Sequence, residues 1–238
     1  MLLILIEFLV LFPLLFSLFI YDRRKRRKEG PHLYGIEAFH GLAGHGKTIS
    51  MTKKLIDLRE KYGDSIYIMT NYFFTGQDFA FNSWTDLLKT YDKPLVVAWD
   101  EAQNLWTSRE WKFFPTQLIG VLTQVRKGHG IYLLYTTQKW HMIDKNFRTL
   151  THYVNDCRTW LGRYTIVRRY ICDDFEERYN TLDSDKKRKI KPKICYSFVQ
   201  TNKIRNSFNS YKMLESAKKM QYMSREELAA IENIGNNA

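Results

Sequence analysis

Cysteine is scarce. Three thiols, Cys157, Cys172 and Cys195, are spread widely among 238 residues, and no two make a CxxC pair. That argues against a zinc site, and an odd count leaves no complete disulfide framework, so reduced thiols are the plain reading. No internal repeat is visible, which argues against stacked-repeat architectures. Acidic residues are in the minority: 25 Asp and Glu face 37 Lys and Arg, for a formal net charge of +12. Part of the excess is local, because Asp22–Lys28 holds six bases against one acid. Residues 29–238 still carry +8, a balance compatible with nucleic acid or an anionic membrane surface.

Charge is nearly missing from residues 1–21, which carry only Glu7. In residues 2–21, LLILIEFLVLFPLLFSLFIY, only Glu7, Pro13 and Ser17 are neither apolar nor aromatic. As a helix this run spans about 30 Å, the thickness of a bilayer core. Pro13 would kink it, which a membrane span tolerates. A cleaved signal peptide would place its bases before the apolar run and a small-residue site after it. Here the order is reversed and no such site precedes the basic run. The expectation is one transmembrane helix over 1–21 and a basic cytoplasmic linker over 22–32. Lys and Arg stay on the cytoplasmic side, so the N-terminus would face outward and the rest of the chain would lie where ATP is available.

Residues 35–40, GIEAFH, read as a short strand that runs into GLAGHGKT at 41–48. This matches G-x-x-x-x-G-K-S/T. In ISMTKKLIDLREKYG, the residues Ile49, Met51, Leu55, Ile56 and Leu58 recur at helical spacing and Gly63 closes the run. Strand, glycine loop and helix form the context a phosphate loop requires. Glycines let backbone N–H groups turn inward around phosphates, and the helix directs its positive end at the same anion. The expected nucleotide-binding set is Gly41, Ala43, Gly44, His45, Gly46, Lys47, Thr48 and Ile49. Lys47 would reach the β- and γ-phosphates of ATP, and Thr48 would ligate Mg2+. The competing reading is a chance glycine turn before a helix.

Residues 95–99, LVVAW, form an apolar run of the kind buried in a parallel sheet, and it ends in Asp100-Glu101. An acid at that end of a strand suits a Mg2+ ligand, Asp100. Glu101 would orient or deprotonate the attacking water. Taken alone, such a pair also fits a helix N-cap. A third apolar run, IYLLY at 131–135, leads into Thr136-Thr137-Gln138. Gln138 is the preferred contact to the γ-phosphate or the water, with Thr136 and Thr137 behind it, against ordinary turn chemistry. Residues 115–127 predict a helix whose apolar face is Leu118, Val121, Leu122 and Val125. Arg126 or Arg148 could serve as an arginine finger acting across a subunit interface, or each is an ordinary surface arginine.

From about residue 151 the pattern changes. HYVNDC and RYTIVRRYI alternate like strands, YSFVQT reads as one more, and KKRKIKPK at 186–193 holds six bases in eight. That basic run suits nucleic acid, anionic lipid or a solvated loop. Ser224-Arg225-Glu226-Glu227 would open a short C-terminal helix with a capping box. The expected fold is α/β, a P-loop NTPase with a mainly parallel sheet. One N-terminal transmembrane helix would precede it and a small, basic, β-rich C-terminal region would follow. The expected domain limits are 33–160 for the ATPase core and 161–238 for the basic extension.

Taken together, GLAGHGKT at 41–48, the strand ending at Asn71, LVVAWDEAQ at 95–103, RKGHG at 126–130 and YTTQ at 135–138 resemble the zonula occludens toxin-like (Zot) domain. That family includes the assembly ATPases of filamentous phages, and the resemblance covers roughly residues 33–160. It implies a doubly wound sheet of the additional-strand P-loop type, ATP hydrolysis with Mg2+, and a ring of identical subunits. It further implies single-stranded DNA or phage nucleoprotein as cargo and other phage assembly proteins as partners. In those ATPases the membrane span typically follows the ATPase domain, whereas here the apolar run precedes it. The broader group also holds DNA-packaging and conjugation-type motors, and a nucleotide-binding membrane scaffold with little turnover is a third reading. A small-molecule kinase is disfavoured, because no lid-like arginine cluster or acceptor-site motif is present.

Overall fold

The computed structural model describes residues 33–81, 84–104, 120 and 130–209. The apolar run 2–21, the basic linker, the expected helix over 115–127 apart from Gly120, Arg126 and the C-terminal helix near 224 lie outside the described residues. Among the described residues no helix is long and apolar enough to cross a membrane.

The described residues open with β1 (Gly35–His40), the glycine loop and α1 (Lys47–Tyr62). Gly46 precedes α1 in the left-handed region at φ 81°, and Gly63 ends it, its N–H donating to the Arg59 carbonyl. Arg59 and Lys61 in the last turn complement the negative end of the helix. Strands β2 (Tyr67–Thr70), β3 (Phe73–Phe74) and β4 (Phe79–Ala80) follow, then β5 (Leu95–Trp99) and β6 (Ile131–Thr137). Beyond them come α2 (Lys145–Leu150), β7 (Tyr153–Trp160), β8 (Tyr164–Ile171), α3 (Cys172–Asn180), α4 (Ser184–Lys189), β9 (Ile194–Val199), α5 (Asn202–Asn206) and β10 (Phe208–Asn209).

The main sheet has eight strands in the order β4-β2-β5-β6-β1-β7-β8-β9. All pairings from β4 to β7 are parallel, and β7-β8 and β8-β9 are antiparallel. The architecture is therefore α/β with a mainly parallel sheet. Strands β8 and β9, from the region expected to be basic and β-rich, extend that same sheet. The basic run at 186–189 forms most of α4 rather than a loop. Strand β6 is inserted between β1 and β5, with Gly35 opposite Tyr132 and Val97 opposite Leu133. The carboxyl ends of β1, β5 and β6 thus lie side by side, where open α/β sheets bind ligands.

Every residue of β5 is buried, because both faces of the sheet are covered. On one face Phe39, Val96, Ala98 and Leu134 pack against Met51 and Leu55 of α1. On the other, Ile36, Val97, Trp99 and Tyr135 pack with Trp140, Phe147 and Phe175. Burying a side chain such as Leu55 stabilises the fold by roughly 1.5–3 kcal/mol.

One charged group sits within the first of these faces. Glu37, in the middle of β1, is only 2% exposed. Its carboxylate accepts from Lys54 Nζ at 2.6 Å, Tyr132 OH at 2.6 Å and Asn155 Nδ2 at 3.2 Å, and from the Arg169 guanidinium. Burial pushes the carboxyl up, but Lys54 and Arg169 outweigh it and hold Glu37 below its ordinary value. The network joins α1, β1, β6, β7 and β8, and so ties the strands around the glycine loop to one another.

Candidate functional site

The loop after β1 is shaped by glycines where no other residue fits. Gly41 lies at φ 151°, and a Cβ there would approach the Cys157 carbonyl oxygen to 2.8 Å. A Cβ on Gly46 would meet Thr159 Oγ1 at 2.4 Å. Gly44, at φ 76°, has nothing within 4 Å of such a position. The loop is therefore packed against β7 at its two ends and open at its middle. The His45 N–H donates to the Leu42 carbonyl at 3.1 Å, and Lys47 Nζ donates to that same oxygen at 3.1 Å. Burial pushes the Lys47 ammonium down, against the pull of the Asp100 and Glu101 carboxylates. Ile49 is buried and anchors the first turn of α1.

The two acids follow β5 and meet the loop and β6 there. Asp100 Oδ1 accepts from Thr48 Oγ1 at 2.9 Å and from Thr136 Oγ1 at 2.6 Å. The backbone of Asp100 is braced by Asn71, whose Nδ2 donates to the Asp100 carbonyl at 3.0 Å. The Asp100 N–H donates in return to Asn71 Oδ1 at 2.7 Å. Burial raises the Asp100 carboxyl, with the Thr136 and Thr48 hydroxyls working against that rise. Glu101 adopts φ 55°, a left-handed conformation that costs a non-glycine residue about 1–2 kcal/mol. Two bonds support it: its N–H donates to Thr136 Oγ1 at 2.8 Å, and its Oε1 accepts from Gln138 Nε2 at 2.9 Å.

The structure thus brings Thr48, Asp100, Glu101 and Gln138 together beside Lys47, with Thr136 as their central link. Arg148 sits elsewhere, on α2, where Nη1 donates to Glu176 at 2.7 Å and the side chain is 15% exposed. Trp140 Nε1 donates to the same Glu176 oxygen at 3.0 Å.

Glycines that line a cavity, a lysine beside them and hard oxygen donors on Thr48 and Asp100 suit a Mg2+-nucleotide. The cavity has a volume of about 590 Å³. Its lining includes Gly44, Gly46, Lys47, Thr48 and Ile49, and on the opposite side Thr159, Gly162, Gln200, Arg205, Phe208 and Asn209. No local motif marks that second wall or the brace that Asn71 supplies. The only local hint was the apolar run that became β9. Strand pairing at long range, not any motif, carries residues 200–209 back to the loop.

No known family profile matches the sequence, and no curated protein does. Solved structures do resemble it. The N-terminal domain of zonular occludens toxin from Neisseria meningitidis is 19% identical, spanning 74% of this chain and 100% of its own, with a TM-score of 0.50. A genome-packaging NTPase of Sulfolobus turreted icosahedral virus 2, in complex with AMP, is 11% identical over 59% of this chain and 93% of its own, with a TM-score of 0.41. The cytoplasmic domain of a type VII secretion ATPase from Thermomonospora curvata is 14% identical over 70% of this chain and 24% of its own, with a TM-score of 0.40. At 19% identity the first likeness is one of fold: this chain shares the α/β fold of that domain.

Proposed function

We propose that this chain is a membrane-anchored, Mg2+-dependent ATPase of the Zot type that powers export of a DNA–protein filament, as in filamentous phage extrusion. The observation that carries the reading is the convergence of Thr48, Asp100, Glu101 and Gln138 at the mouth of the glycine loop. ATP, once bound, would supply a γ-phosphoryl group for transfer to water, and Mg2+ would neutralise charge on its phosphates. Loop N–H groups and Lys47 bind the phosphates. Thr48 and Asp100 would hold Mg2+ through their oxygens. Glu101 orients a water and takes its proton, and Gln138 fixes the Glu101 carboxylate for that task.

The apolar run at 2–21 followed by six bases supports an anchor with residues 22–238 in the cytoplasm. The proposed assembly is a homo-oligomeric ring in which Arg126 or Arg148 acts on a neighbour's nucleotide. The excess of +8 over residues 29–238 supports a polyanionic cargo. That same charge suits a motor acting on naked DNA, the second reading.

The test is ATP hydrolysis by the full chain in detergent micelles, with and without single-stranded DNA, against Lys47→Ala. The expected result is turnover that Lys47→Ala abolishes. Stimulation by bare DNA would favour the naked-DNA motor. ATP binding without turnover, in micelles and in lipid vesicles alike, would overturn the motor reading in favour of a scaffold.

A further inference from the structure

The phosphate loop forms only one wall of the cavity. The other wall comes from the end of β7, the turn between β7 and β8 and residues 200–209, and the space between is about 590 Å³. Small-molecule pockets run from roughly 300 to 1,000 Å³, so the cavity has room for a whole nucleotide rather than phosphates alone. The two walls differ in chemistry. The first offers backbone N–H groups and an ammonium, which suit an anion. The second offers a hydroxyl, two side-chain amides, a guanidinium and an aromatic ring, which suit sugar hydroxyls, base edges and a base face.

The second wall is also organised in advance. Gln200 is 4% exposed, and its Nε2 donates to Thr159 Oγ1 at 3.2 Å and to Thr165 Oγ1 at 2.8 Å. Its Oε1 accepts from Arg205 Nε at 3.2 Å and Nη2 at 3.1 Å. Arg205 Nη2 donates as well to the Gly162 carbonyl at 2.9 Å, so the guanidinium is held across the β7–β8 turn. Phe208 is half-buried, pairs with Phe74 through the backbone, and sets its ring edge-to-face against Tyr72 at 6.2 Å. The two walls touch at Gly46, where a Cβ would come within 2.4 Å of Thr159 Oγ1 and 3.4 Å of Gln200 Nε2.

We propose that residues 200–209 and the β7–β8 turn form the nucleoside half of the site, with the Phe208 ring against the base, Arg205 beside the sugar and base edge, and Gln200 holding the guanidinium in place. This rests on the phosphate-loop reading of the first wall. It makes the ligand a nucleoside triphosphate and assigns selectivity over inorganic polyphosphate to a segment about 150 residues downstream of the loop.

The test is calorimetric titration of the full chain in detergent micelles with a non-hydrolysable β,γ-imido analogue of ATP and, separately, with tripolyphosphate, both with Mg2+. The wild type should bind the analogue roughly ten-fold or more tighter than tripolyphosphate. Arg205→Ala and Phe208→Leu should each weaken the analogue several-fold and leave tripolyphosphate unchanged. Arg205 is exposed and Leu preserves apolar contact with Tyr72, so thermal melting should confirm that both variants fold. Equal weakening of both ligands, or an unchanged affinity for the analogue, would overturn the proposal. If Lys47→Ala left both affinities intact, the phosphate-loop reading would fall and this inference with it.

Discussion

The side-chain amide of Gln138 donates to Oε1 of Glu101 at 2.9 Å. One residue follows β6 and the other follows β5, and they meet because β6 pairs with β5 in parallel register, Tyr135 opposite Trp99. A hydrogen bond to a charged group contributes about 1.5–3 kcal/mol. Here it steadies a carboxylate on a residue already held at φ 55°. Gln138→Leu should therefore lower kcat roughly ten- to hundred-fold while leaving KM for ATP nearly unchanged. Steady-state kinetics check this split, and a matching rise in KM would assign Gln138 to binding instead.

Thr136 links the two acids, donating to Asp100 Oδ1 at 2.6 Å and accepting from the Glu101 N–H at 2.8 Å. Valine has the same shape and no hydroxyl. Thr136→Val should cost about 1–3 kcal/mol of stability, since it leaves a buried acceptor and a backbone donor short of a partner. Thr136→Ser should restore most of it. Urea denaturation of both variants checks the pair. Equal loss in Val and Ser would point to packing of the methyl group rather than to the hydroxyl.

Gly46→Ala tests the loop. It places a Cβ within 2.4 Å of Thr159 Oγ1 at a residue with φ 81°. Both strain and collision oppose it, so nucleotide binding should be lost and the melting temperature should fall. Gly44 is also at positive φ but has nothing within 4 Å. Gly44→Ala should therefore disturb folding less than Gly46→Ala. A larger fall in melting temperature for the Gly44 variant would count against the packed-ends, open-middle description.

Much of this was legible locally. The strand–loop–helix unit at 35–62, the apolar strand before Asp100 and the strand before Gln138 each announce themselves within about a dozen residues, because short-range periodicity and glycine chemistry encode them. What could not be read is what pairs with what. Asn71 stands just past β2, and only the parallel pairing of β2 with β5 places its amide on the Asp100 backbone. Gln200, Arg205 and Phe208 carry no motif at all. They reach the loop through β7, β8 and β9, whose antiparallel registers fold the chain back upon itself. Within GIEAFH nothing local distinguishes Glu37. Its partners Lys54, Tyr132, Asn155 and Arg169 come from four other elements.

Glu37 gives the expected pH dependence. Its folded-state pKa lies below its unfolded value, because Lys54 and Arg169 outweigh the penalty of burial. The unfolded chain then takes up the proton first as pH falls. The stabilisation is present above the ordinary carboxylate range and is lost as pH drops through the folded value, from about pH 4 downward. Urea midpoints measured against pH should show that loss in the wild type and a flatter profile in Glu37→Gln. At neutral pH, Glu37→Gln should cost about 3–5 kcal/mol, because two cations lose their counter-charge in the interior.

In the proposed mechanism Glu101 activates water for attack on a nucleotide held by the glycine loop. The most direct measurement compares ATP binding with ATP turnover in Glu101→Gln, using the full chain. Binding within about three-fold of the wild type, with turnover lowered by about a hundred-fold or more, is the predicted result. Turnover at the wild-type rate in Glu101→Gln would rule out a catalytic role for that carboxylate.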